Sequence, residues 1–240
     1  MKAHVRQMTN SLDLDSEWGA IDLREEVAAT FGLKIADEEA ERCATVGDLY
    51  DILCTRLPDW DDQDGSCASS IVFYRLRRSL SPTDKRAVVP GTPLTASGFS
   101  PLRLFKKLAD GTGLRLPSCK LTSLGVVGGF LLLGGIIGVV VALFNGHWIV
   151  SAAFALIALV GTILLRVDPG RFPTGIFTVA DLVRRTAPLN VAYIKEVGGR
   201  PADRWSILVA LAAEHGSLSP DQIGPDTVFH GRNLDQAKAG

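Results

Sequence analysis

Cysteine pairs are missing from this chain. Its four cysteines, Cys43, Cys54, Cys67 and Cys119, form no Cys-x-x-Cys motif and have no histidine at zinc-ligand spacing, which argues against a metal site and for reduced, packed thiols. His4, His147, His215 and His230 are scattered one per region, so they converge on no metal by sequence. Catalytic fingerprints are missing too. There is no Gly-x-Ser-x-Gly elbow, Walker loop, dinucleotide-binding glycine pattern or His-Glu-x-x-His pair, and the expectation is a protein that is not an enzyme. A net charge of -1 over 240 residues gives no basic excess for a nucleic-acid partner. The N-terminus turns acidic and polar after Arg6, without the apolar core or small-residue cleavage site of a signal peptide.

The most consequential absence is of charge in the middle. Residues 121–165 contain no Asp, Glu, Lys or Arg. A transmembrane helix needs about 20 apolar residues to cross a roughly 30 Å hydrocarbon core, and Asn145-Gly146-His147 divides the run into segments 121–144 and 148–167. A hairpin of two spans is expected, with Trp148 at the outer interface. Arg103, Lys106, Lys107, Arg115 and Lys120 precede it, Arg166 and Arg171 follow it, and the turn carries no Lys or Arg. By the positive-inside rule both soluble portions face the cytoplasm, which makes this a multi-pass protein of a bacterial-type inner membrane. The first span holds Gly125-x-x-x-Gly129 and Gly134-x-x-x-Gly138; the second offers Ser151, Ala155, Ala158 and Thr162. Small residues let helices approach closely. Either the two spans pack on each other, or a leftover glycine face meets a second copy to make a homo-oligomer. With no charge inside either span, ion transport by the hairpin alone is disfavoured.

The soluble parts read as helices: 21–31, a short one over 37–41, 46–56 capped by Thr45, a basic one over 69–80, 102–108, 179–186 and 205–215. Asp59, Asp61, Asp62 and Asp64 read as a solvated acidic linker. Strand-like alternation of useful length does not occur, so the fold class is all-α, with small helical bundles plus the hairpin.

Three stretches carry a resemblance. Phe31-Gly32-Leu33-Lys34-Ile35, Asp37-Glu38-Glu39-Ala40-Glu41 and Thr45-Val46-Gly47-Asp48-Leu49 resemble the second half of an acyl carrier protein, a four-helix bundle that tethers acyl chains through 4'-phosphopantetheine. The pattern recurs. Gly113-Leu114-Arg115-Leu116-Pro117 resembles the same corner, Val89 to Leu94 is similar to the loop after a carrier's first helix, and Thr178-Val179-Ala180-Asp181-Leu182 repeats Thr45 to Leu49. Trp205 to His215 and Ile223 to Phe229 look like a first helix and its loop. The resemblance implies carrier-like second-half character for residues 1–58, a linker at 59–68, a degenerate carrier-like part at 69–120, the hairpin at 121–167, a return segment at 168–202, and a first half at 203–240 that completes 12–57 as a permuted bundle. It also implies a modified serine at the start of the second helix. Leu12-Asp13-Leu14-Asp15-Ser16 is similar to the family's Leu-Gly-x-Asp-Ser motif, with Asp13 in place of the glycine, and it points to Ser16 as the attachment site. The count that reaches Ser16 slips by one residue, Glu17 follows where the family prefers an apolar side chain, and an N-cap explains Ser16 equally well. In the second unit Ser97 and Ser100 lie near the counted position without an Asp-Ser pair.

Two function classes follow. One is a membrane-anchored, non-catalytic carrier module whose partners are membrane lipid and acyl-transfer or phosphopantetheinyl transferase enzymes. The other is an interaction protein that kept the fold and lost the prosthetic group, recognising partners through acidic helix surfaces. A third, weaker alternative is a subunit of a larger membrane complex.

Overall fold

The computed structural model describes residues 10–14, 17–80 and 88–229. Ten α-helices are described: α1 (Glu17–Phe31), α2 (Asp37–Arg42), α3 (Val46–Arg56), α4 (Ala68–Leu80), α5 (Pro101–Thr112), α6 (Ser123–Phe144), α7 (Trp148–Val167), α8 (Val179–Thr186), α9 (Val191–Glu196) and α10 (Arg204–His215). One two-residue parallel pair, β1 (Ser66–Cys67) with β2 (Gly199–Arg200), joins them. The fold is all-α, and the chain forms two compact units.

In the first unit, residues from both ends of the chain share one core. Leu12, Leu23, Val27, Leu49 and Leu53 are buried together with Ile207, Leu208, Leu211 and Phe229. Burying side chains of this size stabilises by about 1.5–3 kcal/mol each, so segment 10–60 gains its packing from a helix lying some 150 residues later in the chain. Backbone pairing closes the join: Leu12 N donates to Val228 O at 2.9 Å and Ser217 N to Leu12 O at 3.0 Å. Asp59, Asp61, Asp62 and Asp64 are exposed, as expected of a solvated linker, but Trp60 among them belongs to this core. Trp60 is 5% exposed, packs its ring against that of Phe31 at a tilt of 56° with centroids 4.7 Å apart, and donates its indole N–H to Ala202 O at 3.1 Å. Beside it Asp61 receives two N–H groups of the Arg204 guanidinium at 2.6 and 2.9 Å.

The second unit holds α5 and the α6–α7 hairpin. Both hairpin helices are long and apolar enough to cross a membrane, and most of their large side chains are exposed, Phe130 and Phe144 among them. Their mutual seam runs along Gly125, Gly128, Gly135 and Ala142 of α6 against Ser151 and Gly161 of α7. A Cβ on Gly135 would stand 2.6 Å from Ala158 N, and one on Gly161 2.5 Å from Leu132 N. Only hydrogen fits there. Gly129 and Gly134, one member of each Gly-x-x-x-Gly motif, have nothing within 4 Å of such a Cβ, whereas the remaining members, Gly125 and Gly138, face Asp168 and Phe154.

Below the seam a polar clamp ties the hairpin's two ends. Thr122 donates its hydroxyl to Asp168 Oδ1 at 2.6 Å and its N–H to Oδ2 at 3.1 Å, while Gly170 N donates to Oδ1 at 3.1 Å. Lys120 and Arg171 exchange backbone hydrogen bonds at 3.2 and 2.7 Å. Helix α5 joins this base through Leu102 N to Pro169 O at 3.1 Å and Phe105 against Phe172 at 5.9 Å. It buries Leu104, Phe105 and Leu108 and exposes Arg103, Lys106 and Lys107.

Candidate functional site

The approach to the candidate serine is anchored residue by residue. Leu12 and Leu14 are buried, and Leu14 N donates to Phe229 O at 3.3 Å. Asp13, between them, is exposed and has φ +48, the left-handed region that favours glycine. Its N–H is held by Ser11 Oγ at 3.1 Å. The backbone there has the conformation a glycine takes most readily, at the position where the resembled motif has one. Asp15 and Ser16 lie outside the described residues, and α1 begins immediately after them at Glu17.

Exposed carboxylates follow from that end of the bundle: Asp22 and Glu25 on α1, Glu38 on α2 and Asp51 on α3. Other acids are committed to structure. Asp48 accepts the N–H groups of Ala44 and Thr45 at 2.9 and 2.8 Å, Thr45 Oγ1 accepts Asp48 N at 3.1 Å, and Glu39 pairs with Arg56 at 2.7 Å. Glu26 is gripped from two sides, by Arg115 and by His215, whose Nε2 lies 2.5 Å from Oε2. Burial pushes the Glu26 carboxyl up, but the hydrogen bonds from Arg115 and His215 outweigh it and hold the group below its ordinary value.

The recurrence read in the sequence has a geometric counterpart. Val46 N donates to Thr227 O at 2.9 Å and Gly47 N to Pro225 O at 2.9 Å; Val179 N donates to Thr92 O at 3.0 Å and Ala180 N to Pro90 O at 2.8 Å. In each copy a Pro-x-Thr loop receives the first two orphan N–H groups of a helix. The threonine hydroxyl also accepts a backbone N–H three residues earlier, from Gly224 at 2.8 Å and from Val89 at 2.9 Å. Each of the two helices carries a Thr/Asp capping box, Thr45 with Asp48 and Thr178 with Asp181. Gly98, at φ +71, precedes α5 much as Asp13 precedes α1. The copies part at the helix start. Helix α5 opens on Pro101 and is three residues shorter than α1, while Ser97 Oγ donates to Leu94 O at 2.7 Å.

A cleft of about 330 Å³ lies in the first unit between Cys67, Ser69, Arg184, Arg200 and Asp203. Cys67 is exposed there, without a histidine among the lining residues to act as its base. Among the described residues no three His, Cys, Asp or Glu side chains converge on a metal position.

Several structural residues escaped the sequence reading. Asn190 is one: its Oδ1 accepts Arg115 N at 2.9 Å and its Nδ2 donates to Arg115 O at 2.8 Å and Thr186 O at 2.7 Å. A buried asparagine in a short turn carries no periodicity that would announce it. Helix α9 was missed because it has only six residues, too short for a 3.6-residue period to register. No family model matches the chain, and no curated protein or solved structure matches it.

Proposed function

We propose that this chain is a multi-pass inner-membrane protein, held by α6 and α7, whose bundle of chain ends is a carrier-like, non-catalytic docking module in the cytoplasm. Ser16 is the candidate attachment point for 4'-phosphopantetheine, and acyl-transfer enzymes and a phosphopantetheinyl transferase are the expected partners. The observation that carries the reading is the shared core of Leu12 to Leu53 with Ile207 to Phe229. It brings together the two segments whose sequences resemble complementary halves of a carrier. The left-handed Asp13 just ahead of α1 adds support, because a displayed serine needs a tight turn into its helix. The placement in the membrane rests on two apolar helices, charge-free from 121 to 165, with Lys and Arg clustered at their non-turn ends, Arg166 in the last turn of α7 among them.

A second reading keeps the fold and drops the prosthetic group, leaving a docking protein that works through its exposed carboxylates. The second copy favours it: Ser100, immediately before α5, follows Phe99 and not the aspartate of an Asp-Ser pair. Intact-mass spectrometry after co-expression with a broad-specificity phosphopantetheinyl transferase separates the two. The carrier reading expects one added prosthetic group on the wild type and none on Ser16→Ala. An unmodified wild type, or an increment that survives the substitution, removes Ser16 from the carrier role and leaves the docking reading.

A further inference from the structure

We propose that the base of the hairpin carries a binding site for the phosphate headgroup of an anionic phospholipid. The site is a cleft of about 230 Å³ bounded by the loop into α5 and by the end of α7, with Ser100, Arg103 and Arg166 as its polar wall and Phe99, Leu102 and Val167 as its apolar rim. Arg103 stands in the first turn of α5 and Arg166 in the last turn of α7. Neither guanidinium has a hydrogen-bond or ion-pair partner among the described residues. Guanidinium groups present planar forks of N–H donors that match phosphate oxygens two at a time.

The cleft also contains a carboxylate, Asp168, which does not cancel the site. Its oxygens are taken up by Thr122 and Gly170, and its side chain is turned inward, 3% exposed. The Thr122 hydroxyl, together with the Gly170 and Thr122 N–H groups, holds it ionised below the ordinary carboxylate range against the opposing effect of burial. Asp168 therefore braces the wall while the two arginines face outward as the uncommitted charge.

Position selects the lipid over a soluble anion. This inference rests on the reading that α6 and α7 span a bilayer, and a bilayer around them places its headgroups at the last turn of α7, where Arg166 sits. The rim supplies the other half of the ligand's chemistry. Phe99, Leu102 and Val167 are 45%, 40% and 65% exposed, and Ile163, one turn up α7, continues the apolar surface along which acyl chains would lie. A free phosphate has no use for such a rim.

The test uses the purified full-length chain in mild detergent, with native mass spectrometry in equal concentrations of phosphatidylglycerol and phosphatidylcholine. The site predicts one retained phosphatidylglycerol per chain, in preference to phosphatidylcholine. The Arg103→Gln/Arg166→Gln variant should lose that retention by about tenfold or more. Lys106→Gln/Lys120→Gln removes the same charge from residues that do not line the cleft and should stay within about twofold of wild type. Tryptophan emission and gel filtration verify that both variants fold. Equal retention of the two lipids, equal losses in the two variants, or displacement by excess glycerol phosphate would each overturn the proposal, the last by assigning the cleft to a soluble anion. Liposome flotation after an alkaline carbonate wash tests the spanning reading separately: a chain that stays with the vesicles but lacks lipid preference refutes only the headgroup site.

Discussion

Cys119 and Cys67 differ only in their surroundings, and that difference is measurable. Burial pushes the Cys119 thiol up to about 11 and raises Cys43 as well, whereas Cys67 is exposed. At pH 8 about one Cys119 in 10³ is a thiolate, the reactive form. Maleimide labelling of the native protein followed by peptide mass spectrometry should therefore find Cys67 modified first, with Cys43 and Cys119 modified only after denaturation. Glu26 offers a pH-dependent counterpart. Its carboxyl lies below the ordinary value in the folded chain, so its contribution is fully present above the unfolded-state pKa and is lost as pH falls through the lower, folded one. Glu26→Gln should cost about 1 kcal/mol near neutrality, a modest figure because Arg115 is half exposed and screened by water. The gap between variant and wild type should close below about pH 4, near the ordinary glutamate value, in urea unfolding curves. A gap that widened on acidification would place the stabilising charge elsewhere.

At the scale of elements, the hairpin seam separates glycines that composition alone treats alike. Gly135 packs against Ala158 and has no room for a side chain, whereas Gly129 faces open space on the same helix. Gly135→Leu should destabilise the hairpin by about 1–3 kcal/mol or force the helices apart, and Gly129→Leu should have little effect. Thermal unfolding in detergent, read side by side, checks the pair; equal sensitivity would mean that the open face of α6 meets another surface. The sequence reading left two roles open for the glycines, and the seam through Gly128, Gly135 and Gly161 assigns these three to packing within one hairpin. Helices with clear signals were legible: α3 and α8 begin and end as Thr45 and Thr178 and their periods indicate. Helix α5 runs four residues beyond its expected end, through Gly111, because Leu108 and the following turn are held by packing that outweighs one glycine's cost of about 1 kcal/mol. Within the mostly exposed Asp59 to Gly65 run the burial of Trp60 was not legible for a related reason: Trp60 and Asp61 take their places from Ala202 and Arg204, partners that no local window contains.

For the molecule as a whole, the decisive arrangement is a core assembled from opposite ends of the chain. Leu53→Ala in α3 and Leu208→Ala in α10 should each cost about 2–4 kcal/mol and should unfold the same cooperative unit. Limited proteolysis checks this: either substitution should expose cleavage sites in both segments 17–60 and 203–229. Damage confined to the mutated segment would show that the two ends fold separately. On the proposed reading that α6 and α7 cross a bilayer, the same core requires that both ends lie in one compartment. Reporter fusions at residues 60 and 203 should therefore report the same side of the membrane, and opposite sides would be incompatible with the shared core.

By itself the sequence determined what depends on neighbours in the chain. A charge-free run with a three-residue break specifies two apolar helices, and Thr-Val-x-Asp-Leu specifies a capped helix start, because hydropathy, periodicity and capping act over a few residues. Its resemblances also marked which segments could belong together. Tertiary structure decided which glycines meet a partner, that Trp60 is core and Asp61 a clasp, that Asp168 locks the hairpin base, and that Arg103 and Arg166 border one cleft. These depend on atoms brought close from distant positions, and pairwise proximity across tens or hundreds of residues leaves no trace in a local pattern.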